Sequence, residues 1–171
     1  MAVLNREYDS LVNVIQTDSI IMPSIDEITK SGQLKYTQVS SMVWDTGATN
    51  TLISSQVVDA LELVPLEESL VEGVGGIVKS LVYEISLYLA NDIVFKNVKA
   101  LCSDIGDYDL VVGMDIIAQG DFVVSNNQGK ICFSYRYPSK GKIVLDPYWL
   151  ILQIRDTISV TFIRSMNVTR D

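Results

Sequence analysis

The chain has 171 residues, 48% of them hydrophobic and 20% charged, enough apolar material for one well-cored domain with room for one extra element. A formal net charge of −8 argues against a nucleic-acid partner, because phosphate binding needs clustered Lys and Arg, and it reads as a solubility feature. The absence of histidine excludes His-based triads, His-ligated zinc and His proton shuttles.

Short runs rich in Val, Ile, Thr and Tyr, broken by Gly, Asn, Asp and Pro, predict an all-β fold with minor helix. Residues 11–15 alternate well enough for a first strand. Residues 24–33 are polar and carry Gly32, which predicts a loop or a short helical turn. Residues 39–44 form a strand that delivers Asp45, and residues 51–53 continue beyond the turn. Ser54 caps a helix over residues 54–63 with Val57, Val58, Leu61 and Leu63 on one face, and Pro65 ends it. Residues 66–71 and 77–89 are the arms of a hairpin whose tip is residues 72–76. Residues 83–89 and 94–101 alternate like strands with one face on a core, joined at Asn91-Asp92. Residues 122–124 and 130–135 make a second hairpin through Asn126-Asn127-Gln128-Gly129. After a joint at Lys140-Gly141-Lys142, residues 149–154 and 158–163 are apolar enough for two strands, or for a strand and a short helix.

Cys102 and Cys132 match neither a metal pattern nor a redox pair, and they read as small buried apolar residues rather than a disulfide. No basic stretch follows Met1 and no apolar run reaches about 18 residues. The expectation is therefore no signal peptide, no membrane span and a cytoplasmic location.

The most informative residues are Asp45-Thr46-Gly47, followed by Ala48 and Thr49, which occur once. An apolar strand that ends in this run presents a carboxylate on a tight turn, where Gly47 lets backbone approach backbone and the Thr46 hydroxyl can hold the turn. Water attack on an amide needs a second carboxylate beside the first, one to take a proton from water and one to give a proton to the carbonyl. With no second Asp-Thr-Gly or Asp-Ser-Gly in the chain, that partner has to come from an identical subunit across a two-fold axis.

These residues resemble the active-site motif of the retropepsins, the homodimeric aspartic peptidases of retroviral type. Gly73-Val74-Gly75-Gly76-Ile77-Val78-Lys79 is similar to the family's flap, and Leu110-Val111-Val112-Gly113 with Met114-Asp115-Ile116-Ile117 is similar to the element that supports the catalytic loop. The likeness spans residues 36–137, and Gly113-Met114-Asp115 and Gly120-Asp121-Phe122 most resemble bacterial members. It implies an acid-protease barrel with one lobe per subunit, a flap hairpin and short helices, active as a two-fold dimer. The implied organisation is an N-terminal strand and loop over 1–35, a peptidase domain over 36–138 and an extension over 139–171. That extension either adds to the subunit interface or packs on its own subunit.

By resemblance, Asp45 is catalytic. Thr46 bonds across the two-fold axis, while Gly47 offers its carbonyl to substrate backbone and Ala48 leaves room near the cut. Val74 donates an N–H from the flap tip, which Gly73, Gly75 and Gly76 make mobile. Thr49 and Asn50 border the subsites, and Val111, Val112 and Gly113 support the turn. Family members often carry an Asp at the position of Thr49 and an Arg at that of Met114, and both partners of this ion pair are replaced here.

Two carboxylates about 3 Å apart repel by roughly 5 kcal/mol at an effective dielectric near 20, so they share one proton and titrate as a unit, as the pepsin dyad does. The ionised oxygen then activates water while the protonated one polarises the scissile carbonyl. This chemistry calls for neither metal nor organic cofactor. The reading is an aspartic endopeptidase acting on peptide or protein substrates. Its alternatives are a silent peptidase-like dimer that binds peptides or partner proteins, and a precursor restrained by residues 1–35 or by the tail.

Overall fold

The structure, a computed structural model, describes residues 1–73 and 76–144. Met1–Lys140 form one compact unit. Of the second unit, Gly141–Asp171, only residues 141–144 are described, and they carry no strand or helix. The strands expected over 149–154 and 158–163 lie outside the described residues.

Along the chain the elements are β1 (Ala2–Tyr8), β2 (Ile15–Pro23), α1 (Ile25–Ser31), β3 (Thr37–Trp44), β4 (Leu52–Ile53), α2 (Ser55–Leu61) and β5 (Glu67–Gly73). Then follow β6 (Gly76–Leu89), β7 (Ile93–Cys102), β8 (Leu110–Val112), α3 (Met114–Ile117), β9 (Asp121–Asn127) and β10 (Lys130–Tyr137). Strands β2, β3, β8, β4, β7 and β6 pair in that order, and β2 pairs back onto β6, so six strands close a barrel. A separate sheet of three strands runs β1-β10-β9.

Among the described residues, closure leaves β5 without a second neighbour. There, residues Ile77–Leu81 of β6 pair with β5 alone, whereas the second half of β6 pairs with β7 and β2. The β5–β6 hairpin is thus a two-stranded arm continuing from a barrel wall, with Leu70, Ile77 and Val78 exposed on it. Asn91 and Asp92, at φ of 60° and 63°, make the β6–β7 turn, a left-handed backbone that short polar side chains tolerate.

The barrel interior is filled by the inward residues of its strands, among them Ile21, Met42, Ile53, Ile85, Leu87, Leu89, Ile93 and Leu110, all fully buried. Trp44, at the end of β3, lies among Tyr135, Phe133 and Phe122, with ring centroids 4.8, 5.2 and 5.9 Å away. Its indole N–H donates to Thr17 Oγ1 at 2.9 Å. Packing of this kind gives aromatic pairs about 0.5–1.5 kcal/mol each beyond area burial, and it welds the small sheet to the barrel beneath the β3 terminus.

Three sequence expectations are corrected. Residues 11–14 are irregular, and the first strand is β1, whose Asn5, Arg6 and Glu7 are all exposed. Strand β2 escaped notice because two of its inward positions hold Thr17 and Ser19, which removes the apolar alternation. Helix α2 is capped by Ser54, whose Oγ accepts from the Val57 N–H at 3.3 Å, but it stops at Leu61 because Glu62 turns left-handed at φ 50°, before Pro65. Residues 24–33 resolve to the helical option, with Ser24 as N-cap and Gly32 left-handed at φ 66°. Cys102 and Cys132 are both free, and each is half-buried rather than fully enclosed.

Candidate active site

Strand β3 runs parallel to β8, and the ladder extends one residue past its end: the Asp45 N–H donates to Val112 O at 3.0 Å. The chain then turns at once. Asp45 Oδ1 accepts from the Gly47 N–H at 2.8 Å and the Asp45 carbonyl accepts from the Ala48 N–H at 3.2 Å, so the turn is closed by both side chain and backbone. Asp45, Thr46 and Gly47 are exposed, while Val111 and Val112 are buried directly alongside the strand that presents them.

Behind the turn, α3 serves as a bracket. The Met114 N–H donates to Ala48 O at 2.8 Å and the Asp115 N–H to Thr49 O at 3.2 Å. Gly113 makes that approach possible, since a Cβ there would stand 2.6 Å from the Asn50 carbonyl carbon and oxygen and 3.0 Å from Ala48 O. The Asp115 carboxylate accepts from the Thr51 N–H at 3.0 Å, the Thr51 hydroxyl at 2.9 Å and the Ile116 N–H at 3.0 Å. Tyr135, buried under the cluster, donates its hydroxyl to Ile116 O at 2.8 Å, and burial pushes its phenol pKa well above the usual range. The segment from Ala48 to Thr51 is held from below at Ala48, Thr49 and Thr51.

A cleft of about 600 Å³ opens on this segment, lined by Asp45, Gly47, Ala48, Thr49, Asn50 and Leu52 on its floor. Val71 and Val78 of the hairpin line it as well, together with Leu101, Cys102 and Asp104 from the end of β7 and the loop beyond. Burial, with a smaller contribution from Asp59, raises the Cys102 thiol pKa, which disfavours its thiolate. Gly73 and Gly76 pair with each other at the head of the hairpin. Val74 and Gly75 lie outside the described residues. Thr46 faces a second hollow, on which Asp45 also borders.

Sequence reasoning placed Asp115 in the supporting element but missed its specific role and its partner Thr51. They are 64 positions apart, and the only available signal was an Asp two residues after a supporting glycine.

A family model described as "gag-polyprotein putative aspartyl protease" matches residues 32–119, more than half of the chain, including the turn, the hairpin and α3. Among solved structures the chain is similar to a retropepsin-like aspartic protease from Rickettsia conorii, at 13% identity over 78% of this chain and 92% of that one, with a TM-score of 0.44. It is also similar to EIAV protease complexed with the inhibitor HBY-793, at 18% identity over 65% of this chain and 90% of that one, with a TM-score of 0.41. No curated protein sequence matches it. The chain belongs to the retropepsin-like aspartic proteases, the family of the gag-polyprotein aspartyl protease.

Proposed function

We propose that the protein is an endopeptidase in which Asp45 of two identical chains forms the catalytic dyad. The observation that carries this reading is an exposed carboxylate on a doubly closed turn, lining a cleft roofed by the hairpin. An extended peptide fits such a cleft as an added strand, with its backbone between the hairpin and the 47–50 segment. Apolar walls from Leu52, Val71, Val78 and Leu101 would take its side chains.

In the dimer the two carboxylates share a proton, because both cannot ionise side by side. The ionised member takes a proton from a water held between the pair, and that water's oxygen bonds to the scissile carbonyl carbon. The protonated member gives its proton to the carbonyl oxygen, producing a tetrahedral diol. Collapse of the diol breaks the C–N bond as the nitrogen takes up a proton. Thr46, next to each Asp45, is placed to bond across the axis. Gly47, Thr49 and Asn50 offer backbone and side-chain groups to the peptide, and the paired Gly73 and Gly76 head the hairpin that closes over it. The three parts proposed are an N-terminal segment over 1–35, the peptidase domain over 36–138 and an extension over 139–171.

The test is cleavage of a mixed peptide library across pH by the parent chain and by Asp45→Asn. The parent is expected to cut with an acidic to near-neutral optimum and the variant to be silent. Equal turnover by both, or a rate that climbs only above about pH 9, would sink the proposal.

A further inference from the structure

We infer that the cleft beneath the hairpin selects peptides that carry Arg or Lys, and that Asp104 is the carboxylate that holds the cation. This rests on the endopeptidase reading and deepens it by naming the class of peptide that the site takes.

The first argument is charge. Among the described residues, the charged side chains lining the cleft are Asp45, Lys79 and Asp104. Lys79 is already matched, with its Nζ 2.7 Å from Glu68 Oε1 on the other arm of the hairpin. Asp45 is committed to the dyad, whose shared proton leaves one negative charge for the activation of water. Asp104 is exposed. Its Oδ1 accepts from the Gly106 N–H at 3.1 Å, and its carboxylate meets no cation among the described residues. A peptide laid over this group strips it of water, which is unfavourable unless the peptide brings a donor with charge of its own. The net charge of −8 draws basic peptides towards the chain as a whole, whereas Asp104 decides where in the cleft the cation sits.

The second argument is shape. Leu52, Val71, Val78 and Leu101 give the same cleft an apolar wall. Lys and Arg have an aliphatic stem and a charged head, so they cover apolar surface while the head stays at a wet rim. An exposed carboxylate beside an apolar wall matches both halves of such a side chain.

The third argument is support, because selection requires a carboxylate that stays in place. The loop that carries Asp104 is fastened at both ends. On one side the Ser103 N–H donates to Ile53 O at 3.1 Å. On the other the Ser54 N–H donates to Asp109 O at 3.0 Å, and the Ser41 hydroxyl donates to Asp109 Oδ2 at 2.6 Å. Asp109 thus spends its carboxylate on holding the loop, and Asp104 has its own available for the peptide.

The experiment uses the full chain and the variants Asp104→Asn, Asp104→Lys and Asp45→Asn. A mixed peptide library cut by the parent gives the preferred residues, and a cut peptide is then made as twins with Arg or with citrulline, its neutral counterpart of the same shape. Expected are cut sites enriched in Arg or Lys at one fixed position, and an Arg twin favoured by the parent ~10-fold in kcat/KM. That ratio is measured on the parent and needs no variant to fold. Asp104→Asn should bring it to unity, and Asp104→Lys should reverse it. A parent ratio of unity overturns the inference, as does a folded Asp104→Asn that keeps the parent ratio, which would assign the preference to the net charge alone. Binding of the twins to Asp45→Asn, followed by fluorescence anisotropy, separates the two readings. Cutting without preference ends the selection and leaves the endopeptidase, whereas an Arg twin bound more tightly by Asp45→Asn beside a parent that cuts nothing ends the endopeptidase and leaves the selection.

Discussion

Replacing Asp115 by Ala tests the bracket beneath the active turn. Its carboxylate accepts three hydrogen bonds, but the losses are unequal. The Ile116 N–H also donates to Gly113 O at 3.1 Å and keeps that partner. The Thr51 N–H and hydroxyl have no second acceptor among the described residues, and Thr51 is fully buried. Stranding a buried donor costs about 1–3 kcal/mol, and the hydroxyl can rotate in search of another partner, so the sum expected is about 2–4 kcal/mol. Asp115→Asn retains one acceptor oxygen and sets an NH2 against the other donor, for a loss of about 1–2 kcal/mol. Urea unfolding of both variants measures this as a shift in midpoint at constant slope. Because Ala48 and Thr49 hang from the same helix start, kcat should fall in both variants more than KM rises, with Asn in between. A stability change below about 0.5 kcal/mol in Asp115→Ala would refute the bracket, since that is the range of surface substitutions with no structural role.

Gly113→Ala places a methyl group against the Asn50 backbone, which cannot swing aside as a side chain would. A loss of about 1–3 kcal/mol in urea and a matching fall in kcat/KM are expected, and an unchanged variant would mean that the loop is free to shift. Tyr135→Phe removes the hydroxyl that reaches Ile116 O. That carbonyl still accepts from the Gln119 N–H at 3.0 Å, which holds the cost to about 1 kcal/mol by thermal or urea melting; a loss above about 3 kcal/mol would contradict this accounting. The Ser139 hydroxyl, the Lys140 N–H and the Arg136 guanidinium hold the Asp121 carboxyl down to about 2, below its ordinary 3.8. A depressed carboxyl stabilises the fold above its unfolded value and loses that contribution as pH falls from about 4 towards 2. Asp121→Asn should therefore lie below the parent in stability at neutral pH and converge with it near pH 2; a constant gap across that range would contradict the assignment.

What the sequence disclosed, and what it withheld, divides by the range of the interactions. The turn at Asp45, the cap at Ser54, the left-handed pair Asn91-Asp92 and the hairpin through Gly129 are each built from neighbours in the chain, so residue type alone marks them. Strand β1 was hidden because only Leu4 on it is buried, and its identity as a strand comes from β10, which begins more than 120 residues later. Strand β2 was hidden for the converse reason. Its inward Thr17 is polar because it serves as acceptor for the Trp44 indole, a requirement set by a residue on another strand. The same division runs through the candidate site. Asp45 was legible because a carboxylate on a turn is local chemistry, whereas Asp115 was not, because its meaning lies in Thr51.

Trp44 shows why that division bears on function. A bulky indole immediately before the presented carboxylate appears out of place if the active turn is considered alone. In the fold it is the joint between barrel and small sheet: its ring meets Phe122, Phe133 and Tyr135, while Tyr135 in turn holds the carbonyl of Ile116. Gly120 is part of the same joint, because a Cβ there would stand 2.5 Å from the Tyr135 ring and from Arg136 O. The aromatic stack therefore connects the strand that presents Asp45 with the helix that brackets the turn after it and with the β1-β10-β9 sheet. Asp45 is thus presented from a strand anchored in packed rings rather than from a free loop, and such stiffness is what holds a side chain in one position.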